Sequence, residues 1–216
     1  DGCNSGKAKD CETLLGMPVV DEGFDPETVL RAVAQEKCTA LHGVPTMFVA
    51  ATELPNIGDY DLSSLRTGVM AGAPCPLELM HQVIDKLHMS EITIMYGQTE
   101  TSPVNHMTAI DAPAEKRCGT LGRVGPYQEI KIIDEAGRVV PIGATGELCC
   151  RGYSVMRGYW NDEQRTRETI DVSGWLHSGD LAEMDAEGYV QIVGRIKDMI
   201  IRGGENVYPR EIEEFL

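Results

Sequence analysis

Three prolines, each at the head of an amphipathic run and each separated from the next by a short apolar stretch, limit the folds open to this chain more than any other feature. Asp25-Pro26 pairs a capping acceptor with a residue that has no backbone N–H to lose, and Val29, Leu30, Val33 and Ala34 follow on one helical face. Pro45 opens a second run with Met47, Phe48, Ala51 and Leu54, ended by Pro55 and Gly58. Pro76 opens a third, in which Met80, Val83, Ile84 and Leu87 recur at a period of about 3.6 residues. Thr39 to Val44, Leu65 to Met70 and Ile92 to Met95 read as strands. Strands separated by helices of this length predict a parallel-type sheet, and such sheets gather ligands beyond the carboxyl ends of their strands. Tyr96 to Glu100 lies at one such end.

Past about residue 115 the pattern changes to short strands and turns. Glu129 to Ile133 and Arg138 to Val140 flank Asp134-Glu-Ala-Gly137, and Tyr189 to Val193 follows a similar Asp185-Ala-Glu-Gly188. The expected organisation is an α/β subdomain over 1–114, a β-rich subdomain over 115–194, and a charged junction with the start of a further unit over 195–216, where Pro209 opens a helix.

Composition narrows the partners. At 216 residues and 42% hydrophobic content the chain can bury a core, and its net charge of -15 argues against a nucleic-acid face or an anionic membrane surface. No charged and apolar leader and no apolar run long enough to span a bilayer is present. The 7 cysteines form no C-x-x-C pair and sit mostly in apolar runs, so reduced, buried thiols in a cytosolic setting are expected, without metal ligation.

Gly97-Gln-Thr-Glu100 places a hydroxyl and a carboxylate directly after an apolar strand, a pairing that suits phosphate and Mg²⁺ as well as a plain capped loop. A bare carboxylate about 4 Å from a phosphate is repelled by roughly 4 kcal/mol per charge pair at an effective dielectric near 20, so a metal between them is required. Asp180 in Ser178-Gly-Asp180 could accept both hydroxyls of a ribose or close an ordinary turn, and Arg195 could reach the same ligand or a surface partner. Gly2-Cys-Asn-Ser-Gly-Lys7 is one residue short of a phosphate loop, with no strand before it. His42, His81 and His88 read as structural; His106 and His177 lie nearer the candidate site, with no second metal ligand and no Ser or Cys partner visible for either.

Taken in order, Tyr96-Gly-Gln-Thr-Glu100, Gly146-Glu-Leu-Cys-Cys-Arg-Gly152 with Gly158-Tyr159, Gly174-Trp-Leu-His-Ser-Gly-Asp180 and Gly194-Arg-Ile-Lys-Asp198 running to Gly203-Gly-Glu-Asn-Val-Tyr-Pro209 resemble the core motifs of the acyl-adenylate-forming (AMP-binding) superfamily. His42-Gly-Val-Pro-Thr-Met-Phe48 and Gly152-Tyr-Ser-Val-Met156 are most similar to medium-chain acyl-CoA synthetases. The resemblance implies an α/β fold with a distorted-barrel β-rich subdomain and a small C-terminal α+β lid. It also implies activation of a medium-chain fatty acid by ATP and Mg²⁺, with transfer to coenzyme A. Position by position, Thr99 would bind phosphate and Glu100 the Mg²⁺; Tyr96 and the Gly72-Ala73-Pro74 loop would form the adenine slot, with Gly97 also contacting the cofactor; Asp180 and Arg195 would hold the ribose. Lys197 matches the hinge of the lid, Gly204 the pantetheine channel, and residues around Val44 to Phe48 and Val69 to Ala71 the acyl pocket.

Some features depart from the family pattern. The family's phosphate loop would precede residue 1 and its catalytic lysine would follow residue 216, so a fragment that binds nucleotide weakly and does not turn over is expected. Ser178 replaces the usual threonine, and Cys150 and Arg157 stand at positions more often aliphatic. An aryl or other acid-CoA ligase, a non-catalytic adenylate-binding scaffold and a peptide-synthetase adenylation domain remain alternatives. The expected location is the cytoplasm, or the mitochondrial matrix for a eukaryotic protein.

Overall fold

The computed structural model describes residues 24–198, together with the backbone of 200–202 and 205–207. Two compact units are present, one made by the chain up to Ile94 with Ile110–Cys118, the other by Met95–Ala109 with Gly119 onward. The expected Gly204 pantetheine position, the helix from Pro209 and the Gly2–Lys7 segment lie outside the described residues.

In the first unit helices and strands alternate as α1 (Pro26–Glu36), β1 (Ala40–Gly43), α2 (Pro45–Thr52), β2 (Thr67–Ala71), α3 (Leu77–Leu87) and β3 (Glu91–Tyr96), the last carrying the chain into the second unit. Asp25 caps α1, its carboxylate accepting the Thr28 N–H at 2.9 Å. Pro76 behaves differently from the expected first helical residue. It is itself the cap, extended at φ -62 and ψ 140, and α3 begins at Leu77. Strands β1 and β2 are parallel, Ala40 opposite Thr67 through Gly43 opposite Met70, and β2 lies between β1 and β3.

The core of this unit joins Leu30 and Val33 of α1, Phe48 and Ala51 of α2, Met80, Val83 and Leu87 of α3, and Met70 and Ile92 of the strands. Phe48 and Met70 are therefore buried packing residues, and alternation along β2 turns Met70 inward while Val69 and Ala71 face the other way. The return segment Ile110–Cys118, with most of helix α4 (Ala114–Gly119), is fastened by Arg117, whose Nη1 donates to the Ser90 and Ile92 carbonyls at 3.1 and 2.7 Å.

In the second unit, β4 (His106–Met107) pairs antiparallel with Met95 and Tyr96 at the end of β3, and β5 (Arg123–Val124) pairs with β4. A four-stranded antiparallel sheet follows, β6 (Gln128–Ile133), β7 (Gly146–Gly152), β8 (Leu176–Met184) and β9 (Val190–Arg195), with β6 and β9 as its edges; helix α5 (Glu163–Thr169) lies between β7 and β8 in sequence. Ile132, Leu148, Ala182 and Val190 form its buried centre.

The two Asp-led turns are built alike. Asp134 and Asp185 each accept two backbone N–H groups from the residues that follow, and Gly137 and Gly188 sit at φ 76 and 82. Arg138 to Val140 does not form the expected strand: only Val139 makes a bridge, to Ile133, because the chain leaves the ladder towards Pro141. Arg195 is the last residue of β9, and β10 (Ile200–Arg202) pairs antiparallel with β11 (Glu205–Val207). Among the described residues no helix is long and apolar enough to cross a membrane.

Candidate functional site

A mismatch of lengths between neighbouring strands displays Asp180. On β7 the step from Glu147 to Cys149 spans two residues, whereas its partner step on β8 runs from Leu181 back to His177, so Ser178-Gly179-Asp180 bulges out of the ladder. Gly179 sits at φ 73, a conformation that strains any side chain, and its N–H donates to Glu147 Oε1 at 3.1 Å. The Ser178 hydroxyl donates to the Leu148 carbonyl at 2.6 Å and accepts from Asp180 N–H at 3.1 Å, a role that either serine or threonine can fill. On the opposite side Asp180 stays in register with Arg195 of β9.

Asp180 is 4% exposed, and a buried carboxylate needs partners. Arg195 Nε lies 3.2 Å from Oδ1, Gln98 Nε2 donates to Oδ2 at 3.2 Å, and the Tyr96 hydroxyl donates to Oδ2 as well. Burial first, and then the Asp180 charge, push the Tyr96 phenol well above its ordinary pKa, so it remains a donor. His106, edge-on to Tyr96 with ring centroids 5.9 Å apart, is fully buried, and burial pushes its pKa down to about 4.

The loop after β3 brings up the second carboxylate. Gly97 admits no side chain, for a Cβ there would stand 2.0 Å from the Pro103 carbonyl oxygen. The 3-10 turn Thr99–Thr101 follows, with Gln98 bonded to Thr101 at both backbone and side chain. Glu100 accepts the Tyr159 hydroxyl at 2.7 Å, and that bond is the main reason its carboxyl lies below the ordinary pKa. Arg165 of α5 stacks over the Tyr159 ring at 4.1 Å.

Glu100, Asp180, Arg195 and Lys197 all line one cavity of about 450 Å³, within the range of small-ligand sites, with Gln98, Tyr159 and His177 among its other walls. Thr99 is exposed on the same turn and does not belong to the wall; Tyr96 stands behind the wall, on Asp180. Gly72, at φ 87, and Ala73-Pro74 belong to the first unit. The wall carries the carboxylates Glu100, Glu147, Glu168 and Asp180 against the cations Arg165, Arg195 and Lys197. A polyphosphate entering here would meet excess negative charge unless a divalent cation came with it.

Sequence reading missed Gln98, Glu147, Tyr159 and Arg165 as members of the site. Gln98 and Tyr159 stood inside quoted motifs, but Arg165 depends on how α5 is placed, which has no short-range signal. The reading of His177 as lacking a cysteine partner or a second ligand is overturned. Cys149 is its cross-strand neighbour, Sγ lies 3.7 Å from Nδ1, and Glu147 Oε2 lies 2.8 Å from the same nitrogen. The 28-residue separation that hid the pair is closed by β-sheet register. Cys150 is buried and Arg157 exposed, so neither departure disturbs the cavity wall.

Comparisons with known proteins identify relatives of the chain. The family model described as AMP-binding enzyme matches residues 13–160. YngI of Bacillus subtilis (strain 168), whose name assigns it provisionally to the acyl-CoA synthetases, is 56% identical over 207 residues, covering 95% of this chain and 38% of that protein. The mitochondrial medium-chain acyl-CoA ligase ACSF2 of Danio rerio is 47% identical over 206 residues, covering 94% and 34%. Among solved structures, O-succinylbenzoate coenzyme A synthetase (MenE) from Bacillus subtilis, in complex with ATP and magnesium ion, superposes with a TM-score of 0.79 at 31% identity, covering 94% and 41%. The chain thus spans about two fifths or less of the length of these proteins.

Proposed function

The chain belongs to the AMP-binding enzyme family, and from that premise we propose that the protein activates a carboxylic acid as its acyl-adenylate, releasing pyrophosphate, and transfers the acyl group to the thiol of coenzyme A. A medium-chain fatty acid is the proposed acid, in line with the name of the ACSF2 relative. The observation that carries the reading is the joint presence of Asp180, Arg195 and Glu100 on one cavity wall.

Asp180 is the proposed ribose acceptor. Each carboxylate oxygen accepts more than one hydrogen bond, so Oδ1 can take a ribose hydroxyl while Arg195 remains beside it and Tyr96 and Gln98 hold Oδ2. Thr99 would donate to phosphate at the rim, Tyr96 and the Gly72-Ala73-Pro74 loop would frame adenine, and Gly97 would contact the cofactor. Glu100 fits Mg²⁺ on its chemistry: an ionised carboxylate, oriented by Tyr159, in a wall otherwise too negative for phosphate. When bound, that ion would neutralise charge on the phosphates. Arg165, Arg195 and Lys197 supply the remaining positive charge, and the chain's contribution is alignment of the acid oxygen with the α-phosphate more than proton transfer. Lys197, in the turn Ile196–Asp198 after β9, is the proposed pivot of the lid, and Gly204 the proposed floor of the coenzyme channel.

The proposed organisation has 1–114 and 115–194 in the adenylate-forming domain and 195–216 entering the lid, and the proposed location is the cytoplasm or mitochondrial matrix. Pyrophosphate release by the whole protein with octanoate, butyrate, dodecanoate and benzoate tests the reading. Octanoate is expected to be preferred, with Asp180→Ala and Glu100→Gln each losing most activity. Unaltered activity in both variants would overturn the proposal, and preference for benzoate would move the substrate to the aryl acids, a class to which the acid named for MenE belongs.

A further inference from the structure

We propose that Glu147, Cys149 and His177 form a binding site for one thiophilic divalent cation, with Zn²⁺ the ion that their chemistry fits, on the wall of the cavity and separate from the Glu100 position. Cys149 and His177 face each other across β7 and β8, and Glu147, two residues before Cys149, bonds to the same imidazole nitrogen. The three donor atoms all lie within 4.8 Å of one another, with Nδ1 to Sγ at 3.7 Å and Nδ1 to Oε2 at 2.8 Å. In a tetrahedral zinc centre, bond lengths of about 2.0–2.3 Å put neighbouring donors roughly 3.3–3.6 Å apart. The Nδ1–Sγ pair already has about that spacing, the Nδ1–Oε2 pair must open by about 0.5 Å, and the Sγ–Oε2 pair, within 4.8 Å, must close by up to about 1.2 Å to receive the ion.

Donor chemistry selects the metal. A sulfur, an imidazole nitrogen and one carboxylate oxygen suit Zn²⁺ and disfavour Mg²⁺ and Ca²⁺, which require oxygen shells. Binding exchanges the thiol proton of Cys149 for the metal–sulfur bond and releases that proton to solvent, while His177 binds as the neutral ring. Glu147 is already oriented from behind, its Oε1 held by the Gly179 N–H at 3.1 Å, which is the outer support a metal ligand requires. Cys149 is buried, whereas Glu147 and His177 line the cavity, so these residues would hold the ion at the cavity wall, where water or an anionic ligand could complete its shell. The same Glu147 bond ties the ion to the Ser178-Gly179-Asp180 bulge.

Titration of the full chain with Co²⁺ as a spectroscopic probe tests this without any catalytic readout. One equivalent is expected to produce a thiolate-to-cobalt charge-transfer band and the visible absorption of a tetrahedral ion, both removed by Zn²⁺. Cys149→Ser is expected to abolish the charge-transfer band, and His177→Gln to weaken Co²⁺ binding by about 100-fold or more, beyond the 10- to 100-fold typical of an outer-shell change. Cys38→Ala and Cys75→Ala should change neither. Should Cys149→Ser fail to fold, His177→Gln carries the test, since its side chain is 32% exposed. Absence of the band in the unaltered chain, its retention in Cys149→Ser, or unchanged affinity in His177→Gln would overturn the site and leave the three residues as a hydrogen-bonded cluster.

Discussion

The Tyr96 hydroxyl donates to Oδ2 of Asp180 across 84 residues of sequence, and this bond ties the end of β3 to the bulge in β8. Because the acceptor is a buried carboxylate, the bond belongs to the stronger, charge-assisted kind. Tyr96→Phe keeps the ring against His106 and removes only the hydroxyl. It is expected to cost about 1.5–3 kcal/mol of stability, measured by urea unfolding, and to weaken AMP binding about tenfold, the equivalent of about 1.4 kcal/mol. Unchanged values for both would show that Gln98 and Arg195 alone hold the carboxylate.

Glu100 and Tyr159 give a pH-dependent prediction. The Tyr159 hydroxyl holds the Glu100 carboxyl below its ordinary pKa, so the stabilisation from this bond is fully present above the ordinary carboxylate value and is lost as pH falls through the lowered one. Tyr159→Phe should therefore be less stable than the unaltered chain near neutrality, with the gap closing as the carboxyl protonates. Thermal melts across that acid range check this, and a gap independent of pH would contradict it.

His106 acts in the opposite direction on the pH scale from an imidazole that gains an acidic partner. Burial lowers its pKa to about 4 from 6.5, so the neutral ring stabilises the fold, fully above the unfolded value and decreasingly as pH falls towards the folded one. The loss amounts to about 3 kcal/mol across that interval. Its Nδ1 faces Asn105 Oδ1 at 2.7 Å, which places the proton on Nδ1 of the neutral ring. His106→Gln should flatten the fall of stability between about pH 6.5 and pH 4, whatever its effect at neutrality. Equal slopes in denaturant titrations would refute the assignment.

Phe48 packs in the core of the first unit, and Val69 is the proposed acyl-wall residue of β2. Phe48 is 1% exposed in the core of the first unit, and Phe48→Ala is expected to cost about 3–5 kcal/mol through the cavity it leaves. Val69 lies on the other face of β2, half-buried, and Val69→Phe is expected to leave stability within about 1 kcal/mol. In the whole protein the same change should shift acid preference towards shorter chains. A shift produced by Phe48→Ala and not by Val69→Phe would place the acyl wall on the wrong side of the strand.

Local chemistry made most of the fold legible. Proline-headed helices and the Asp-led turns declare themselves within a few residues, because caps, missing N–H groups and left-handed glycines act at short range. Asp180 and Arg195 could be named from their motifs, but their pairing, the bulge that exposes Gly179, and the meeting of Cys149 with His177 depend on strand register. Register is fixed by which faces bury apolar side chains across whole strands, a non-local condition that no short segment carries. Phe48 illustrates the same limit, since helical periodicity marks it as apolar-facing without saying whether that face meets a core or a cavity.

The central claim is that one adenylate lies between Glu100 and Asp180, and crystals of the chain grown with a non-hydrolysable acyl-sulfamoyl adenosine test it most directly. The account predicts the ribose hydroxyls on the Asp180 carboxylate beside Arg195, with the sulfamoyl group towards Thr99 and Glu100. A nucleoside bound away from Asp180, with Tyr96, Gln98 and Arg195 still closed around an uncontacted carboxylate, would contradict it.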